Sequence, residues 1–380
     1  MKVFVIQPNL SSDSETWLFR INQMLGENIC GFAAFLEKES FYNNLPVFNL
    51  NGRNPNFMDR ILIRLKLLKY NAQNTMRREL YNAIRSSGAE MILVQYATTA
   101  HSLWDVISRF SIPVYIYVHG FDIIWDHNDD TGKSIHPGNY RTDISKIGKS
   151  SNITFIVSSN CSLQNLLKID IDRDKIKKKV FGVEIPLIER DYNKKEINIL
   201  FLGRFVDYKG PQIVLEAFLK ACEQGYKGNL IMAGDGPLKL SCEVAAQKSD
   251  YSQRVSFTGA VTAKEALALF EAVDIYSMHN CKGAVSNGYD TFGVTIIEAL
   301  SYGLPVVTSI VGGPSEIIEN EVDGILVQPN NVEEHAAAFV RLYNDRNLCA
   351  MLGSNGRNKI IKHYSSQKEK EALFEILHIN

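Results

Sequence analysis

The densest chemistry in the chain lies in Asp290-Thr291-Phe292-Gly293-Val294-Thr295-Ile296-Ile297-Glu298. Two carboxylates stand eight positions apart, and a glycine precedes the apolar helix that carries the second. Glu298 falls about one turn into that helix, where an acid can point back at a ligand. The peptide N–H groups at Gly293 and Val294 point the same way. A helix N-terminus suits a phosphate or a developing anion. An ordinary helix start followed by a solvated glutamate would have the same spacing.

The second stretch is Phe201-Leu202-Gly203-Arg204-Phe205-Val206-Asp207-Tyr208-Lys209-Gly210. A strand ends in glycine, Arg204 follows at once, and Lys209 comes five residues later. Both cations therefore sit at the carboxyl end of a strand, where open α/β sheets bind ligands. Arginine forks onto phosphate oxygens and lysine acts as a point charge. A surface ion pair with Asp207 is the plain alternative.

Both stretches need a scaffold that gathers strand ends and helix starts. In the first half the spacing predicts strands over 3–7, 91–95, 114–119 and 153–158, apolar runs without polar alternation. Strands covered on both faces read this way. In the second half it predicts strands over 197–202, 229–233, 255–258, 275–277 and 305–309. Helices are expected over 17–25, 211–222, 263–272, 295–302, 333–343 and 366–377. Such alternation means two doubly wound, Rossmann-like α/β domains with a cleft between them. The expected division is an N-terminal domain over 1–185, a linker over 186–196 and a C-terminal domain over 197–365.

Composition narrows the function. The chain has 380 residues, 45% hydrophobic and 22% charged, ordinary for two globular domains. Its net charge is −1, which argues against a nucleic-acid binder. The balance is uneven: residues 1–188 hold 22 Lys+Arg against 18 Asp+Glu, the remainder 19 against 24. Six scattered cysteines, none in a C-x-x-C pair, suit buried thiols in a reducing cytoplasm. No signal peptide and no apolar run of about 18 residues is read in the chain.

Taken together the motifs resemble the retaining glycosyltransferases of family 4, which have the GT-B fold. The resemblance runs from about residue 197 to 365. It includes Gly203-Arg204 with Lys209-Gly210, Ala233-Gly234-Asp235-Gly236-Pro237 and Val255-Ser256-Phe257-Thr258-Gly259. The acid pair Asp290 and Glu298 follows, then Gly303-Leu304-Pro305-Val306-Val307 and Gly312-Gly313-Pro314-Ser315-Glu316-Ile317-Ile318. In the first domain it rests on Val118-His119-Gly120-Phe121-Asp122 and on Gly182-Val183.

The resemblance implies roles. Arg204 and Lys209 bind the donor diphosphate and stabilise the leaving group. Glu298 holds the ribose hydroxyls, and Asp290 reaches hydroxyls of the transferred sugar. Phe292, Gly293 and Val294 meet sugar and phosphate through their backbone, and Thr258 and Gly259 neighbour the base. His119 faces the transferred sugar from the first domain. The donor is a UDP- or GDP-sugar, no metal or separate cofactor is expected, and the acceptor is a saccharide or a lipid-linked hydroxyl. Retention is expected by front-face attack, a donor phosphate oxygen taking the acceptor's proton. The segment over 366–380 should cross back onto the first domain. Two departures stand out. The first acid is Asp290 where the family has Glu, and Gln7-Pro8-Asn9-Leu10-Ser11-Ser12 replaces its glycine pair after the first strand.

Between Asp59 and Arg85, seven Lys and Arg side chains interleave with apolar ones, and only Asp59 and Glu79 oppose them. A basic amphipathic helix there would suit peripheral contact with an anionic membrane; an ordinary surface helix has the same pattern. Gly132-Lys133-Ser134 lacks the upstream glycine of a phosphate loop, and the acids at 126–130 and at Asp170 and Asp172 read as solvated loops rather than metal ligands. The expectation is an enzyme of bacterial surface polysaccharide or glycolipid synthesis. A sucrose- or trehalose-type synthase, a nucleotide-sugar epimerase and a non-catalytic nucleotide-sugar binder remain as alternatives.

Overall fold

In the computed structural model, residues 1–9, 16–35, 41–42, 44–51, 71–194 and 196–379 are described, and their apolar strands build two sheets. The first contains β1 (Val3–Ile6), β2 (Ile29–Ala34), β3 (Phe41–Tyr42), β4 (Leu45–Asn49), β5 (Met91–Gln95), β6 (Val114–Tyr117), β7 (Ile153–Val157) and β8 (Ile176–Lys178). Its order is β3-β4-β2-β1-β5-β6-β7-β8, and only the β3–β4 pair is antiparallel. The second contains β9 (Ile199–Leu202), β10 (Leu230–Ala233), β11 (Val255–Gly259), β12 (Ile275–Ser277), β13 (Val306–Ser309) and β14 (Ile325–Val327). Its order is β11-β10-β9-β12-β13-β14, with every pairing parallel.

The winding reverses beside β1 in one sheet and beside β9 in the other. Loops leaving the two strands at such a reversal turn to opposite faces and leave a crevice at the carboxyl ends. The β9 loop carries Arg204 and Lys209, and the β12 loop leads to Asp290 and Gly293. The first sheet presents the loops after β1, β5 and β6 at its own crevice. The central strands are enclosed because helices cover them. Pro211–Glu223 is typical: Pro211 at its first turn suits the fixed φ, and Val214, Leu215, Ala217, Phe218, Ala221 and Cys222 form one buried face.

The chain passes between the sheets twice, side by side. Val183 N–H donates to Tyr364 O at 2.8 Å, and Ser366 N–H donates to Val183 O at 2.9 Å. The helix Ser366–Ile376 then lies against the first unit, where its buried Glu369 bonds Lys179 and accepts from Gly182 N–H at 2.9 Å. Residues 186–192 run along the second unit. Arg190 donates to Phe270 O at 2.7 Å and to Tyr302 O at 2.9 Å, and Tyr192 OH donates to Gly303 O at 2.9 Å.

Several strands, among them β2, β4, β8 and β14, have no counterpart in the sequence reading, and two helical regions differ from it. The basic segment is not one helix from Asp59 to Arg85. Residues 59–70 lie outside the described residues, and Asn71 is extended and caps a separate helix, Ala72–Ser86, by accepting from Asn74 N–H. Met76, Leu80 and Ile84 of that helix are buried, while Arg78 and Arg85 face outward. The 18-residue helix Arg346–His363 has no counterpart among the predicted elements. Its buried side is Cys349, Leu352, Gly353, Gly356 and Ile360. Two of those five positions are glycines, so close backbone approach replaces the apolar stripe that periodicity detects.

Candidate active site

The β9–β12 crevice gathers most of the residues singled out by the sequence. Arg204 is exposed at its mouth, and its side chain makes no hydrogen bond or ion pair with a described residue. It is not paired with Asp207. That carboxylate is committed elsewhere, accepting from Val285 N–H and Ser286 N–H at 2.9 Å each and from Ser286 Oγ–H at 2.6 Å. Asp207 thereby fixes the loop that leads to Asp290. Lys209 is largely enclosed and ion-pairs with Asp290.

Gly293 adopts φ 101° and opens the helix Val294–Ser301. Only glycine takes that conformation without strain. Gly313 N–H donates to Asp290 O at 2.8 Å. A Cβ on Gly313 would overlap the backbone of Thr291 and Phe292, so the Gly312-Gly313 turn can lie directly on the acid loop. Glu298 is part-exposed, and its side chain makes no hydrogen bond to another described residue. Enclosure by the surrounding walls pushes its carboxyl up to about 7, with the Arg20 guanidinium pulling it the other way. Thr258 and Gly259 share no bond with this group. They end β11, two strands out from β9, where Gly234 N–H donates to Gly259 O at 2.8 Å.

Across the cleft, His119 follows β6. Its Nε2 lies 2.7 Å from Gln95 Oε1, and its ring is walled by Tyr117 and Tyr96 at 4.4 and 4.5 Å between centroids. Trp17 and Phe181 stand farther out, at 6.1 and 5.9 Å. Burial, and then the Lys179 charge, hold the imidazole well below its ordinary pKa. His119 is therefore neutral, a hydrogen-bonding group rather than a cation. Its Nδ1 and the neighbouring Gln95 Nε2, Trp17 Nε1 and Tyr117 hydroxyl are enclosed without hydrogen-bond partners among the described residues.

Asp122 sets the position of His119. It is fully buried and accepts from Ala97 N–H at 2.8 Å, His119 N–H at 3.0 Å and Gly120 N–H at 2.9 Å. Burial raises this carboxyl to about 6, and those N–H bonds limit the rise. Asp122→Asn turns one accepting oxygen into a donor that faces a buried N–H. We expect it to destabilise the chain by about 1–3 kcal/mol in urea unfolding and to lower any reaction that uses His119.

The two units touch directly. Glu316 accepts from Asn160 N–H at 2.7 Å and Cys161 N–H at 2.6 Å, capping the helix Asn160–Leu167 of the first unit. Asn165 Nδ2 donates to Tyr289 OH at 2.6 Å, and Asn128 N–H donates to Ser286 O at 2.7 Å. Gly120 has φ 130°, and a Cβ there would stand 2.5 Å from Thr291 Oγ1 of the second unit. Phe181 packs edge-on to Phe292, their centroids 5.2 Å apart. Sequence reading had quoted Gly120, Asp122, Thr291 and Glu316 as motif letters without roles. Gln95, Trp17 and Phe181 gave no signal, because their meaning comes from the neighbours that the sheet brings to them.

Comparison with known proteins fits this geometry. Residues 188–359 match the family described as glycosyl transferases group 1. An uncharacterised glycosyltransferase of Methanocaldococcus jannaschii is 30% identical over 167 residues, 44% of this chain and 41% of that protein. The O-antigen chain mannosyltransferase C of Escherichia coli is 26% identical over 181 residues, 47% of this chain and 45% of that protein. These matches thus span less than half the length of either relative. Among solved structures, Anabaena HepE in complex with UDP and glucose superposes with a TM-score of 0.75 at 16% identity, covering 100% of this chain and 99% of that one. The chain has the GT-B fold, two Rossmann-like units facing a cleft, and its residues 188–359 match the group 1 glycosyl transferases.

Proposed function

We propose that the chain is a retaining, metal-independent glycosyltransferase of family 4. It would move a sugar from a UDP- or GDP-sugar to a saccharide or lipid-linked hydroxyl in surface polysaccharide or glycolipid synthesis. One observation carries the reading: a free Arg204, Lys209, the Gly293–Val294 helix start and Glu298 converge at the reversal point of the second sheet. Two cations and aligned peptide N–H groups there would neutralise a leaving diphosphate, the work a metal does elsewhere. Glu298 would accept two hydrogen bonds from the ribose diol, Asp290 would reach the transferred sugar, and Thr258 and Gly259 would approach the base. His119, neutral, would hold a sugar hydroxyl from the opposite wall. The O-antigen mannosyltransferase among the relatives favours a polysaccharide setting.

Cytoplasmic placement and peripheral membrane contact belong to the same proposal. Among the described residues, no helix is long and apolar enough to cross a membrane. The outward Arg78 and Arg85 would supply a basic surface.

Thermal shift against a panel of nucleoside diphosphates and nucleotide sugars tests the donor. A ligand at 100 times its Kd should stabilise by about 2.7 kcal/mol. If no nucleoside diphosphate shifts the chain, the assignment is wrong. The same titration has a pH signature. Glu298 accepts from the diol only as a carboxylate, so nucleotide affinity should fall as pH drops below about 7. Glu298→Gln should bind more weakly and lose that component of the pH dependence. Stability runs the opposite way. The folded carboxyl holds its proton above the unfolded value, so its contribution is present at low pH and fades as pH rises from about 4.5 to about 7.

A further inference from the structure

A crevice of about 700 Å³ opens beside the double crossing of the chain, lined by Lys178, Lys179, Lys362, His363 and Lys368, with Val180 and Ala372 between them. It shares no residue with the Arg204–Lys209 crevice. We propose that it binds a ligand carrying two linked phosphate groups.

Five basic residues and no acid line the walls, and four of the five side chains reach the surface. They come from three separate segments: the end of β8, the last turn of Arg346–His363 and the first turn of Ser366–Ile376. Cations at a helix C-terminus are favoured by the dipole, which would account for Lys362 and His363 alone. It does not explain why lysines of two other segments face them. Lys179 lies fully buried, held by Glu369. At the rim, Lys178 donates to Asn160 Oδ1 at 3.0 Å and stands 3.8 Å from Glu316, and Lys368 stands 2.8 Å from Glu371. Solvent screens these exposed contacts, so both lysines can be redirected. Lys362 and His363 make no hydrogen bond or ion pair with a described residue.

The ligand class follows from the donors. No arginine lines the crevice, so the planar fork that favours a single carboxylate is missing. Dispersed ammonium groups act as point charges and match an anion whose charge is spread over several oxygens. The volume suits a small molecule, and two phosphates could bridge the walls. A soluble diphosphate and the headgroup of a lipid diphosphate share this chemistry.

Pyrophosphate is the probe. It is titrated calorimetrically into Arg204→Ala, which weakens the donor crevice, and into the same chain carrying K362A, H363A and K368A. We expect measurable binding to the first at low salt and at least tenfold weaker binding to the second, with thermal midpoints unchanged within a few degrees. Sedimentation with phosphatidylcholine vesicles carrying a prenyl diphosphate, against phosphatidylcholine alone, separates the sources. Loss of sedimentation in K362A/H363A/K368A points to a headgroup, and tenfold loss of pyrophosphate binding without sedimentation points to a soluble diphosphate. Equal pyrophosphate binding and equal sedimentation with and without the three cations overturn the proposal. None of these readouts depends on glycosyl transfer, so this site and the proposed activity stand or fall separately.

Discussion

Arg204→Ala is expected to lower kcat/KM for transfer by about 100–1000-fold, the usual effect of removing one preorganised donor to a developing anion. Its fold should be untouched. Arg204 is exposed and its side chain makes no hydrogen bond or ion pair with a described residue, and surface changes of that kind stay within about 0.5 kcal/mol. The loss must therefore lie in chemistry and donor binding. Lys209→Ala should cost a similar factor for a second reason. Lys209 pairs with Asp290, so its removal leaves a carboxylate facing the incoming phosphates as well as deleting a cation. Adding Asp290→Asn should restore part of the nucleoside diphosphate affinity, because the unpaired negative charge is gone. It should not restore kcat, because the leaving group still lacks its cation. Nucleotide titration beside steady-state transfer distinguishes the two quantities. An Arg204→Ala chain with kcat/KM within threefold of the parent would remove Arg204 from the mechanism.

Much of this site was legible in the sequence because it is built locally. Arg204, Lys209, Gly293 and Glu298 sit within one loop or turn of a strand or helix end, and short spacing fixes where such residues point. The order of the second sheet then brings two of those loops together. The strands read most plainly are enclosed apolar runs such as β5 and β9. β4 and β8 escape because they mix polar and apolar residues: β4 is Leu-Pro-Val-Phe-Asn and β8 is Ile-Lys-Lys. β2 and β14 escape as well, though both are largely buried. What lies between the units was not legible at all. Glu316 could be quoted as a motif letter, yet nothing in its surroundings says that it caps a helix about 155 residues earlier in the chain. The enclosed polar atoms around His119 come from β5, β6 and the helix Thr16–Leu25, and only the folded sheet makes them neighbours. The Gln7–Ser12 departure is partly outside view, since residues 10–15 lie outside the described residues.

Glu369→Ala should be the most damaging single change to stability, about 3–5 kcal/mol by denaturant unfolding, with no contact to the proposed donor site. Removing one partner of a buried ion pair leaves the other charge uncompensated, and that penalty dominates. Here the stranded group is Lys179, fully enclosed, with its ammonium 4.9 Å from the Tyr117 ring centroid. Burial already works against that charge, and Glu369 is what retains it. Arg20 adds to the loss, with its Nε 3.7 Å from the same carboxylate and its buried Nε and Nη2 without a hydrogen-bond partner among the described residues. Gly182 N–H would lose its acceptor as well. Lys179→Met with Glu369→Gln tests the account. It removes both charges of the pair while leaving an oxygen for Gly182, and it should recover more than half of the loss. If the double variant is as unstable as Glu369→Ala, packing of the crossing helix rather than charge holds the halves together. The same pair bears on His119, whose imidazole is held low by burial first and by the Lys179 charge second. Without Glu369, the uncompensated Lys179 charge would push the imidazole still further from protonation, so the defect should not be rescued at lower pH. A buried acid that no motif marked thus links the return of the chain to the neutral histidine across the cleft.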